Sequence, residues 1–179
     1  MHYYSSFHDL IGHTPLVKIG HFDLPEGVNI FAKLELYNPL GSVKDRTGRH
    51  MLAAAEQRGD LREGGTVIMA TAGNTGLGIA FAALNRNYRI IFVVPEKFSE
   101  EKQVLMQALG AEIIHTPREG GMLEAGRRAA ELHQKIPGSV LLNQFSDQSN
   151  PQSHYETTGP EIYQDLDGKI DYFIAGAGS

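Results

Sequence analysis

Short apolar runs alternate with amphipathic stretches through most of this chain. Residues 66–70, 89–94, 112–115 and 140–145 are apolar and bounded by turn residues, which predicts strands. The run Ile90-Ile91-Phe92-Val93-Val94 shows no polar alternation, as expected of a strand buried on both faces. Between these runs, residues 75–84, 100–109 and 122–136 predict helices. Ser99 caps the second, with Glu100 and Glu101 in its first turn, and Pro137-Gly138 ends the third. Gly76, Gly78 and Ala80 give the first of these helices a face suited to close packing. Strands that alternate with helices predict an α/β fold with a parallel sheet covered on both faces.

The flanks read differently. Residues 14–19 and 28–35, separated by Pro25-Glu26-Gly27, predict an antiparallel strand pair. Ser42 and Asp45 form a capping-box-like pair that starts a helix at Val43, ending near Gly59. Residues 161–166 look helical and 171–175 predict a last strand. That strand runs into Gly176-Ala177-Gly178-Ser179, where a parallel strand normally leads into a crossover helix, so the chain is expected to be part of a longer protein. Residues 2–10, with Tyr3, Tyr4 and Phe7, are either a helix end or an arm laid on a partner subunit.

Composition narrows the function classes. The chain has 179 residues, 41% of them hydrophobic, and a net charge of -5 with lysine and arginine scattered, which gives a nucleic-acid partner no electrostatic support. No apolar run approaches the roughly 20 residues of a membrane span, and no basic-then-apolar leader opens the sequence, so a cytoplasmic protein is expected. There is no cysteine, and the eight histidines show neither H-x-H nor H-E-x-x-H spacing, so no metal site is expected.

Candidate chemistry centres on Asn38-Pro39-Leu40-Gly41-Ser42-Val43-Lys44-Asp45-Arg46, which sets Lys44 at a helix mouth, where most lysines are solvated surface charges. The positive end of the helix dipole disfavours a protonated amine there, and an unprotonated lysine can form a Schiff base with a carbonyl cofactor. Thr71-Ala72-Gly73-Asn74-Thr75-Gly76 lies between a strand and a helix, where free amides and the dipole make an anion site. Gly73 and Gly76 would let the backbone approach a ligand, or serve only a tight turn. The glycines at 73, 76 and 78 read G-x-x-G-x-G, so the dinucleotide fingerprint fails, and no P-loop occurs. Asn143 and Gln144 end an apolar strand at the edge where sheet ligands bind, or supply only ordinary loop polarity.

Three stretches in this order, 38–46, 71–76 and 176–179, resemble the cysteine synthase and cystathionine β-synthase family, fold-type II enzymes dependent on pyridoxal 5'-phosphate with a tryptophan synthase β-like fold. Ile11-Gly12-His13-Thr14-Pro15-Leu16-Val17 and His154-Tyr155-Glu156-Thr157-Thr158-Gly159-Pro160-Glu161-Ile162 support the resemblance. It implies that Lys44 carries the cofactor and acts as the catalytic base, and that Asn74 meets the cofactor ring hydroxyl. Gly176, Ala177, Gly178 and Ser179 would begin the phosphate loop. Thr71, Ala72, Gly73, Asn74, Thr75 and Gln144 would bind the substrate carboxylate. The implied organisation is a large cofactor domain beginning at 1–44, a smaller mobile substrate domain over 45–150, and a return to the large domain over 151–179, with the C-terminal part missing.

The implied reaction is β-replacement on O-acetylserine or serine by a thiol acceptor, in a homodimer. Homocysteine would give cystathionine and sulfide would give cysteine. Ala72, where cysteine synthases commonly carry serine, leans the resemblance toward the O-acetylserine-dependent bacterial cystathionine β-synthases. The alternatives are a serine or threonine dehydratase and a non-catalytic binding protein on the same fold.

Overall fold

The computed structural model describes residue 1 and residues 3–176. Its centre is a four-stranded parallel sheet in the order β5-β4-β3-β6, built from β3 (Thr66–Ala70), β4 (Arg89–Pro95), β5 (Glu112–Thr116) and β6 (Ser139–Leu142). Separate from it, β1 (Leu16–Ile19) and β2 (Ile30–Lys33) form the expected antiparallel pair, with Leu16 opposite Lys33.

Alternation along the central strands divides the core. Val67 and Met69 of β3 and Ile90, Phe92 and Val94 of β4 face one side. There they meet Met51, Leu52 and Ala55 of α1 (Lys44–Gln57), Ile79 and Ala80 of α2 (Asn74–Ala82) and Met106 of α3 (Glu100–Ala108). Ile68, Ile91 and Val93 face the other, against Ala125 and Ala129 of α4 (Gly121–Lys135). Period-two strands with apolar residues on both faces thus supply two cores, one per face.

Helices α1 and α2 cross in near backbone contact. A Cβ on Gly48 would lie 2.2 Å from the Gly78 carbonyl carbon, and one on Gly78 would lie 2.3 Å from the Lys44 carbonyl oxygen. Only glycine at both positions allows this approach. Gly78, from the expected small-residue face of α2, therefore packs on the helix that starts at Lys44.

Several expectations need correction. The stretch 171–175 forms no strand: no described strand pairs with it, and Tyr172, Phe173 and Ile174 are exposed. An apolar run becomes a strand only with a ladder partner. Strand β6 stops at Leu142 rather than at 145, because Asn143 starts a turn. Its side chain accepts from the Phe145 amide at 2.9 Å, and its carbonyl accepts from the amides of Ser146 and Asp147. The Ser42–Asp45 pair forms no capping box: the N-cap is Val43, with no side-chain cap bond. Ser42 Oγ accepts from the Lys44 amide at 3.1 Å, and Asp45 Oδ2 takes the Leu40 amide at 2.7 Å rather than the Ser42 amide.

After β6 the chain enters α5 (Ser149–Ser153), a π-helical turn (His154–Thr158) and α6 (Gly159–Asp165), of which only the last was expected. The opening segment lies on its own chain. Phe7–Leu10 form one 3₁₀ turn capped by Ser6 and Asp9, His8 Nε2 donates to the Phe81 carbonyl at 2.7 Å, and Arg49 donates to the His8 carbonyl at 3.2 Å. No described helix is long and apolar enough to cross a membrane.

Candidate active site

Lys44 is the first residue of α1 and is partly buried. Burial lowers its pKa, the direction expected of a nucleophilic amine, through desolvation. Its carbonyl abuts Gly78, one turn along α2 from Asn74, so the lysine sits beside the first turns of that helix.

The 71–76 stretch forms the entry to α2. Gly73 is the N-cap, and its carbonyl accepts from the amides of Gly76 at 3.1 Å and Leu77 at 3.4 Å. The earlier amides of the helix, Asn74 and Thr75, have no intrahelical acceptor and are the donors an anion would use. The glycines of this turn have different reasons to be there. A Cβ on Gly76 would strike Thr71 Cγ2 at 2.7 Å and Met106 Cε at 2.9 Å, so Gly76 serves packing and not ligand approach. Gly73 has extended backbone, and a Cβ there would meet nothing within 4 Å. The space above Gly73 is open, as a ligand site requires.

Thr71 and Thr75 are buried, Asn74 is exposed, and Ala72 packs its methyl on the main core. Any part Ala72 takes in binding is therefore through its backbone. Thr75 Oγ1 donates to Gln144 Oε1, which joins two of the expected carboxylate residues and does not use the Gln144 Nε2 hydrogens. Gly176 lies in the exposed stretch after α6, while Ala177, Gly178 and Ser179 lie outside the described residues. Lys44 and the 71–76 turn thus lie on the adjoining helices α1 and α2, with Gln144 bonded to Thr75 from the loop after β6.

The described residues fit pyridoxal phosphate. A partly buried amine of lowered pKa suits its aldehyde, the exposed Asn74 amide suits a ring hydroxyl, and the open face of Gly73 leaves room for an amino-acid carboxylate.

Motif residues to which the sequence assigned no role form the support behind Lys44. Arg46, almost wholly buried, donates to Glu35 from Nε at 2.7 Å and to Glu161 from Nη1 at 2.6 Å. Thr14 Oγ1 donates to Glu35 at 2.6 Å, the His13 amide donates to Glu161 at 3.0 Å, and Asn38 accepts from the Gly12 amide at 2.9 Å. Lys33 adds a 3.0 Å ion pair with Glu161. Burial raises the Glu161 pKa, but bonds from Arg46, His13 and Lys33 outweigh it and hold the carboxyl at about 2. The stretches 11–17, 38–46 and 154–162 meet in this one network. A buried charge demands partners, so Arg46, two residues after Lys44 in a helix, was the available signal. His154, also without an assigned role, is half-buried beside the site. Burial first, then the charges of Lys44 and Arg46, lower its pKa and favour the neutral ring.

Comparison with known proteins agrees with this reading. The family model described as pyridoxal-phosphate dependent enzyme matches residues 7–179. The chain is 51% identical over 171 residues to the O-acetylserine dependent cystathionine beta-synthase of Bacillus subtilis, covering 96% of this chain and 56% of that protein. It is 44% identical over 177 residues to a cysteine synthase of Helicobacter pylori, covering 98% and 58%. Among solved structures, cystathionine beta-synthase from Bacillus anthracis superposes with a TM-score of 0.83 at 54% identity, covering 99% of this chain and 67% of that one. The chain spans a little over half the length of these curated relatives. With the family model matched over nearly the whole sequence, the chain belongs to the pyridoxal-phosphate dependent enzyme family.

Proposed function

We propose that this chain carries the lysine and substrate-carboxylate half of a β-replacement site. O-acetylserine or serine would be the donor and a thiol the acceptor, giving cystathionine from homocysteine, cysteine from sulfide, or both. The observation that carries this is the seating of Lys44 against Gly78, one turn from the open Gly73 entry of α2. The names of the Bacillus subtilis and Helicobacter pylori relatives support both products.

Bound pyridoxal phosphate would supply the electron sink that makes the substrate Cα–H acidic and lets the β-substituent leave. Lys44 would hold it, with Asn74 at the ring hydroxyl and residues 176–179 at the phosphate. The chain's own contribution is positional and acid-base. The amides of Asn74 and Thr75, with Gln144 Nε2 and the turn 71–73, hold the carboxylate and so fix the direction of the Cα–H bond. Partial burial keeps the Lys44 amine available to take the Cα proton. Residues 45–150 would form the smaller, mobile unit that excludes water on closure, between large-domain segments 1–44 and 151–179. The working protein would be a homodimer, which light scattering tests.

Turnover assays test the reaction. O-acetylserine with homocysteine should give the higher kcat/KM and sulfide the lower, with keto acid a minor product. Equal or reversed rates would remove the preference for cystathionine, and keto acid as the main product would make the protein a dehydratase.

A further inference from the structure

Resting on that reading of Gln144, we infer that Asn150 is a positioning residue that ties the lysine helix to the substrate-carboxylate site. Its Nδ2 donates to the Gln144 carbonyl at 2.8 Å, and its Oδ1 accepts from Thr47 Oγ1 at 3.2 Å. Thr47 is fully buried on α1, three residues beyond Lys44 and so on the same side of the helix. The Gln144 side chain is in turn held by Thr75, in the first turn of α2. A single amide therefore closes a path from the helix of the base, through the Gln144 loop, to the amides that would face the carboxylate.

The tie is needed because Gln144 lies beyond the end of β6, outside the sheet ladder. Asn150 is itself fixed from both sides. Its amide donates to the Asp147 carbonyl at 3.1 Å, and its carbonyl accepts from Ser153 Oγ at 2.7 Å. Asp147 anchors the turn by accepting from the amide and hydroxyl of Ser149 at 3.0 and 2.7 Å. The amide uses separate atoms for the two bonds, Nδ2 to donate to the carbonyl and Oδ1 to accept from the hydroxyl. Asn150→Asp keeps shape and the Thr47 acceptor but sets a carboxylate against the Gln144 carbonyl.

The test is a titration of the full-length protein, loaded with pyridoxal phosphate, with two unreactive ligands of equal size. L-alanine carries the carboxylate and L-alaninamide does not, and binding is read from the visible absorbance of the cofactor. Asn150→Asp should raise the Kd for L-alanine about 10-fold or more while shifting that for L-alaninamide less than about 2-fold. In cofactor-free protein the same variant should speed amide hydrogen exchange over residues 144–147. Should it fail to fold, Thr47→Val cuts the same tie from the other side and is expected to cost about 3-fold, for L-alanine only. Equal losses for both ligands, or none, would overturn the positioning role while leaving the wider reading intact. A wild-type protein that takes up no cofactor would overturn both.

Discussion

Asp45 follows the candidate catalytic lysine and is fully buried, with Oδ1 lacking a partner among the described residues. Burial raises its pKa to about 6, despite hydrogen bonds from Leu40 and Ser42 that pull the other way. The folded value thus stands above the unfolded one, so the fold favours the protonated carboxyl. That stabilisation is complete below about pH 4 and is lost as the pH rises through about 6, a change of roughly 3 kcal/mol at most. The substitution Asp45→Asn would keep an acceptor for the Leu40 amide and carry no charge. Urea denaturation of this variant and wild type should therefore give equal stabilities near pH 4, with the variant ahead by about 2 kcal/mol at pH 8. A difference that does not vary with pH would contradict this. At the residue scale Lys44 was legible because a helix mouth is a local feature of sequence. The cause of its lowered pKa was not, since burial depends on what packs over it.

The crossing of α1 and α2 decides where that lysine sits. Gly48→Ala would push a methyl into the Gly78 backbone and should cost about 3 kcal/mol or more, measured by urea denaturation. Gly73→Ala has open space and extended backbone, so stability should stay within about 0.5 kcal/mol while amino-acid binding weakens. If both variants lose stability alike, the two glycines do not divide into packing and ligand roles. The small-residue face of α2 could be read from Gly76, Gly78 and Ala80, but its partner could not, because Gly48 carries no pattern that names α2. Helices and sheet strands were legible because their periodicity is local and strong. The expected strand at 171–175 failed because strand formation depends on a neighbour that local pattern does not reveal.

Across the whole molecule, the Arg46 network joins the opening loop, the lysine helix and α6. Glu161 is held at about 2, below its unfolded value, so its stabilisation is present above about pH 4.5 and is lost as the pH falls toward 2. Glu161→Gln should cost about 3 kcal/mol at pH 7 by leaving Arg46 underpaired, and should flatten the acid limb of the stability curve. An unchanged acid limb would contradict that account. Three motifs separated in sequence converge here, a convergence that only the three-dimensional packing discloses. The central claim is that Lys44 holds the cofactor at the entry of α2. Its most direct measurement is borohydride reduction of the full-length protein incubated with pyridoxal phosphate, followed by peptide mass spectrometry. The account predicts a pyridoxyl group on the peptide carrying Lys44 and its loss in Lys44→Ala. Labelling spread over the exposed lysines, or persisting unchanged in that variant, would contradict it.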